Sequence, residues 1–140
     1  MIVALDVGER RIGVAISDPS EAFSMPLRTI ERTASVHDDL EAILALLREY
    51  GPSTVVVGDP LTLSGQRGLA AQKMDAFTAL LAKAYGGPIE RIDERLTTAQ
   101  VTRSLLAADV SRKKRKGVVD QLAAALILDA YLARRRRSGP

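Results

Sequence analysis

A chain of 140 residues with 46% apolar content has room for one domain, 1-140, with a proper core, and none for a second. The absence of cysteine excludes disulfides, thiolate zinc sites and thiol nucleophiles, and a single His excludes an imidazole metal cage. The formal charge of +3 is unevenly spread: nine of the twenty basic residues fall in Arg112 to Lys116 and Arg134 to Arg137, leaving eleven against seventeen acidic ones, a net of about −6, elsewhere.

Such an acidic body with two basic runs is the footprint expected where phosphate is neutralised, although a solvated loop and a frayed tail would look the same. The chain passes from Met1 directly into the apolar run Ile2 to Leu5, without a basic leader, and no apolar stretch approaches the roughly 18 residues of a membrane span. A cytoplasmic protein with no membrane partner is expected.

Ile2 to Val7 is nearly continuous in apolar residues, as in a strand buried on both faces, and Gly8-Glu9-Arg10 supplies a tight turn. Ile12 to Ile16 returns as a second strand, closed by Asp18-Pro19-Ser20, and the more polar Met25 to Ile30 reads as an edge strand. Ser35-Val36-His37-Asp38 resembles a capping box, and Leu40, Ile43, Leu44 and Leu47 carry a helix from about Val36 to Tyr50, where Gly51-Pro52 stops it. Thr54 to Gly58 follows a helical crossover, so it should run parallel to the first strand.

After a loop from Asp59 to Gly68, Ala70, Met74, Phe77, Leu81 and Ala84 mark a second helix, and Ile89 to Ile92 a fifth strand. Thr97-Thr98-Ala99-Gln100 caps a third helix. Beyond a basic loop at 112–116, Val119, Leu122, Ala123, Leu126 and Ala130 form the stripe of a last helix that ends in a mobile arginine run. The fold class is α/β: a five-stranded mixed sheet of order 3-2-1-4-5 flanked by helices.

In that order the first, fourth and fifth strands are parallel, and their C-terminal ends share the edge where open α/β sheets bind ligands. Asp6, Asp59 and Asp93-Glu94 lie at or just past those ends, and Asp120 joins them if the last helix packs across the same edge, which Ala123, Ala124 and Ala125 are small enough to permit. Carboxylates so gathered repel one another unless a hard cation such as Mg2+ or Mn2+ lies between them. Two such ions about 3.5–4 Å apart can activate water and stabilise the leaving oxygen in phosphodiester cleavage.

Each acid also has a plainer reading: Glu94 in a surface pair with Arg95, Asp120 as a charge at a helix N-terminus, Asp59 as a turn cap with Pro60, Asp93 as support for its neighbour. Asp6 has the weakest alternative, because an unpaired carboxylate in an apolar strand is costly. Since the fourth strand adjoins the first, Asp59 is a candidate auxiliary ligand. Candidate nucleic-acid contacts are Arg10 and Arg11 in the hairpin, Arg95, and the run Arg112, Lys113, Lys114, Arg115 and Lys116.

Four motifs in order carry a family resemblance: Ala4-Leu5-Asp6-Val7-Gly8 with Arg10 to Ala15 and Ser17-Asp18; Val57-Gly58-Asp59-Pro60-Leu61; Asp93-Glu94-Arg95-Leu96-Thr97-Thr98; and Val119 to Ala124. Over essentially its whole length the chain resembles the YqgF/RuvX family, described as Holliday junction resolvases and as pre-16S rRNA nucleases. The resemblance implies a ribonuclease H-like, metal-dependent endonuclease whose catalytic and metal-binding acids correspond to Asp6, Glu94 and Asp120. Family members commonly carry an apolar residue at the place of Asp59, and Ala123 stands where the related RuvC resolvases have a further acid.

The resemblance implies maturation of the 5′ end of 16S rRNA on ribosomal particles, or the cutting of branched DNA at four-way junctions, which requires paired cuts and hence a homodimer. Two other classes compete. An actin-like or sugar-kinase ATPase shares the Asp-x-Gly strand end but needs a second domain to close over its nucleotide, and a noncatalytic nucleic-acid binder would have no use for the three acids.

Overall fold

A computed structural model describes residues 1–59, 68–93 and 112–137, with the side chains of the last segment from Val118 onward. Its elements in chain order are β1 (Ile2–Val7), β2 (Arg11–Ser17), β3 (Ser24–Glu31), α1 (Val36–Tyr50), β4 (Thr54–Asp59), α2 (Leu69–Tyr85), β5 (Ile89–Asp93) and α3 (Arg112–Arg137). The sheet order is β3-β2-β1-β4-β5, as expected, with β1 antiparallel to β2 and parallel to β4, and β4 parallel to β5.

The sheet is covered on both faces, which is why β1 and β4 read as unbroken apolar runs. Alternation sends Val3, Leu5, Val55 and Val57 toward Ile43 and Leu46 of α1 and Phe77 and Leu81 of α2. Their neighbours Ile2, Ala4, Ala15, Val56 and Ile92 meet Ala123, Ala124, Ile127, Leu128 and Tyr131 of α3. Each large aliphatic side chain so buried contributes about 1.5–3 kcal/mol. The small residues Ala4, Ala15, Ala123 and Ala124 bring α3 close to the two central strands.

Local chemistry fixes the ends of the elements. The Ser35 hydroxyl accepts the Asp38 amide at 3.2 Å, and Gly51, at φ 57°, closes α1 with its N–H on the Leu47 carbonyl. Asp18 accepts the amides of Ser20, Ala22 and Phe23, building the β2–β3 turn, and these bonds, with the Ser20 hydroxyl foremost, lower its carboxyl to about 2. Asp39, buried under β3, accepts the Thr33 amide at 2.8 Å and Arg32 Nε at 3.0 Å. Burial pushes its carboxyl up, but those donors outweigh burial and leave it below its ordinary value.

Two expectations about the basic runs need correction. Residues 112–116 are not a loop: the last helix begins at Arg112, and Lys and Arg are good helix formers. The terminal arginines are not loose either, because the sheet edge and a turn supply acceptors for them. Arg134 meets Glu90 at 3.2 Å, Arg135 meets Glu21 at 3.3 Å, and Arg136 donates to the Ala22 carbonyl at 2.7 Å. The helix expected at Thr97 to Gln100 lies outside the described residues.

Candidate active site

The site grows from one strand position. Asp6 is the last α3-facing residue of β1, buried to 6% exposure, and its register partner on β2 is Gly13. A Cβ built on Gly13 would stand 1.9 Å from the carbonyl oxygen of Asp120 and 2.4 Å from its carbonyl carbon. The backbone of α3 therefore rests on the bare strand beside Asp6, and this seat brings Asp120 to the edge where β1 ends. Gly13 has no positive φ, so it is required for space and not for conformation.

Asp120 receives Arg11 Nε at 2.9 Å, both side chains being partly buried. Because α3 starts eight residues earlier, Asp120 lies past the first two turns, where the helix dipole has faded as an explanation for an acid. Asp6 and Asp120 both line one cleft of about 550 Å3, with Val7, Gly8, Arg32 and the exposed flank of α2 among its walls.

Asp59 comes to a different place. It belongs with Val55 and Val57 to the alternating set facing α1 and α2, the opposite face from Asp6. Its carboxylate is 3.8 Å from Arg91 Nη1, which bonds Asp75 of α2 at 2.5 Å, so the three tie β4, β5 and α2 together. Asp93 is level with Asp59 on the neighbouring strand. Arg10 is exposed at the hairpin turn, and its carbonyl accepts the Arg32 amide.

Glu94, Arg95 and the side chains of Arg112, Lys113, Lys114, Arg115 and Lys116 lie outside the described residues. Among the described residues no group of three or more His, Cys, Asp or Glu side chains is gathered to hold a metal. The described part of the acid set is the pair Asp6 and Asp120. Its donors suit a hard divalent cation, and the guanidinium on Asp120 shows that a positive charge can be accommodated there.

Two contributors were not identified in the sequence. A glycine within an otherwise apolar strand is itself a signal of close backbone approach, and Gly13 carried it. Arg32 carried none: its place on the cleft wall depends on Asp39, seven residues away, and on the Gly8 carbonyl, which accepts its Nη1 at 2.9 Å.

Residues 1–134 match the family described as "RuvX: Holliday junction resolvase". A Desulforudis audaxviator protein named "Putative pre-16S rRNA nuclease" is 44% identical over 135 residues, covering 96% of this chain and 95% of that one. A protein of the same name from Moorella thermoacetica is 44% identical over 138 residues, covering 99% and 98%. Among solved structures, T. thermophilus RuvC in complex with a Holliday junction substrate aligns with a TM-score of 0.61 at 16% identity, over 99% of this chain and 98% of that one. At that identity the likeness concerns the ribonuclease H-like fold alone.

Proposed function

The chain belongs to the RuvX family, and from that premise we propose that it is a metal-dependent endonuclease acting in maturation of the 5′ end of pre-16S rRNA. The observation that carries the reading is the seating of α3 on Gly13, which delivers Asp120 to the cleft that Asp6 closes. The whole-length relatives at 44% identity bear the rRNA nuclease name, and this favours RNA maturation over junction cutting.

In this reading Asp6 and Asp120, with Glu94 from the segment after β5, would hold Mg2+ or Mn2+. When bound, such an ion lowers the pKa of water toward neutrality and stabilises the oxygen that leaves the phosphorus. The chain's own residues do the positioning. β1 is hydrogen-bonded on both sides and gives Asp6 no freedom to drift, while α3 fixes Asp120 through backbone contact. Arg11, paired with Asp120 on the neighbouring hairpin, would neutralise a phosphate drawn to these acids. Residues 112–116 form the start of α3, the end nearer Asp120, and their five positive charges would hold the backbone of the substrate.

A second reading, resolution of four-way DNA junctions, follows from the family description. One experiment separates the two: purified protein with magnesium or manganese is offered a precursor carrying the 16S 5′ end and a synthetic four-way junction. Cuts confined to the precursor support the first reading, paired symmetric cuts in the junction support the second, and no metal-dependent cut in either overturns both.

A further inference from the structure

Only one end of the cleft suits a phosphate. Beyond Asp6 and Asp120 its wall turns apolar, formed by Val7 and Val36 on one side and by Met74, Phe77 and Leu80 of α2 on the other. Val36 and Leu80 are 43% and 48% exposed, an arrangement that costs free energy unless something apolar covers them. Phosphate and ribose gain nothing from such a wall. The flat face of a nucleobase does.

Arg32 makes this wall more specific. Its guanidinium lies over the Phe77 ring, 5.1 Å from the centroid, while Nε is held by buried Asp39 and Nη1 by the Gly8 carbonyl. The plane is thus fixed before any ligand arrives. Among the described residues Nη2 makes no hydrogen bond, and the side chain keeps 18% of its surface open. A fixed guanidinium plane with one face on an aromatic ring and donors to spare is a stacking platform for a base and a partner for its edge. Lys73, exposed on the same wall, adds a positive charge at its rim. At about 550 Å3 the cleft falls in the range of pockets that hold a molecule of nucleotide size.

We propose that this cleft receives one unpaired nucleobase of the substrate, next to the phosphodiester that Asp6 and Asp120 address, stacked on Arg32 and covered by Leu80 and Val36. A paired base has both faces occupied by its neighbours, so the substrate must be single-stranded, or have one nucleotide turned out, where it enters the site. The proposal rests on the nuclease reading and narrows its substrate to unpaired nucleic acid.

The test is binding by fluorescence anisotropy with divalent metal chelated, so that strands stay intact. The probes are a short single-stranded RNA, an abasic strand of equal length and charge, and the RNA paired with its complement. Wild type should bind the RNA strand about tenfold more tightly than the abasic strand, the scale of one stacked base. Leu80→Gln, neutral and at an exposed position, and Arg32→Lys, which keeps the charge and loses the plane, should each remove most of that difference and leave duplex binding within twofold. Equal affinity of wild type for RNA and abasic strands overturns the pocket while leaving the nuclease reading intact. So does a loss in Leu80→Gln that is the same for strand and duplex. Failure of wild type to bind either strand or the duplex overturns the nuclease reading itself.

Discussion

Replacing Gly13 with alanine sets two physical expectations against each other. Judged by strand propensity, glycine is a weak choice, and Gly13→Ala should stabilise the protein by roughly 0.5–1 kcal/mol. The structure requires the opposite sign. The new methyl carbon would lie 1.9 Å from the Asp120 carbonyl oxygen and 3.1 Å from its Cα, and these are backbone atoms with no rotamer to escape into. To regain ordinary contact near 3.5 Å, α3 must retreat by roughly 1.5 Å.

That retreat opens the seam where Ala4 and Ala15 meet Ala123 and Ala124, all at most 1% exposed. Overpacking costs about 1–3 kcal/mol, and a gap of an ångström forfeits up to half of each contact across the seam, so a loss of about 3 kcal/mol is expected. In a domain of this size that corresponds to roughly 10 °C in Tm. Asp120 moves with its backbone, and a displacement of this order costs about a hundredfold in rate.

The assay pairs thermal unfolding with cleavage well below the lowered Tm, and uses Leu46→Ala as a control. Leu46 is buried against the other face of the sheet, so this variant should lose 2–5 kcal/mol or thereabouts while keeping its rate. A Gly13→Ala protein as stable as wild type would refute the seating of α3. One that is destabilised like the control yet cleaves normally would remove Asp120 from the site.

Other expectations follow from the same contacts. Asp6→Asn should abolish cleavage and spare nucleic-acid binding, and adding Asp120→Asn should cost little more, since ligands of one site act as a unit; a multiplicative loss in cleavage assays would separate them. Asp39 has a folded pKa below its unfolded value, so its contribution is present above the ordinary carboxylate range near about pH 4 and is lost as pH falls through the folded value. Urea midpoints of wild type and Asp39→Ala should therefore converge on acidification, and a pH-independent gap would contradict this. Neutralising Arg112, Lys113, Lys114 and Lys116 should lower the salt slope of binding, whereas neutralising Arg134 to Arg136 should lower Tm through the lost contacts with Glu90, Glu21 and Ala22.

The sheet was legible because its signals are local and agree: apolar runs for strands covered on both faces, crossovers for parallel pairs, and caps such as Ser35 and Gly51. Asp6 was legible because an acid in such a run needs a reason. Asp120 was legible only on the condition that the last helix crosses the same edge, and that condition is met at Gly13, 107 positions earlier in the chain. The state of the arginine run was not legible, since its acceptors at Glu21, Ala22 and Glu90 are remote in sequence. Arg32 was hidden for a related reason: its orientation comes from a buried carboxylate on another element.

Asp59 shows what strand order leaves out. Adjacency of β4 to β1 puts position 59 near the level of Asp6, but side chains two apart share a face, so Asp59 follows Val57 and Val55 toward α2, whereas Asp6 follows Ala4 and Ile2 toward α3. It is Gly58, without a side chain, that falls in the α3-facing set of β4. Asp59→Leu should accordingly leave the metal concentration for half-maximal cleavage unchanged. The lost pair with Arg91 should itself cost no more than about 1 kcal/mol, because the 3.8 Å contact is long and Arg91 keeps Asp75. Metal titrations of wild type and variant decide the matter: a midpoint raised severalfold would mean that the Asp59 carboxylate reaches around the strand end to the site, and that strand parity does not partition the acids of this edge.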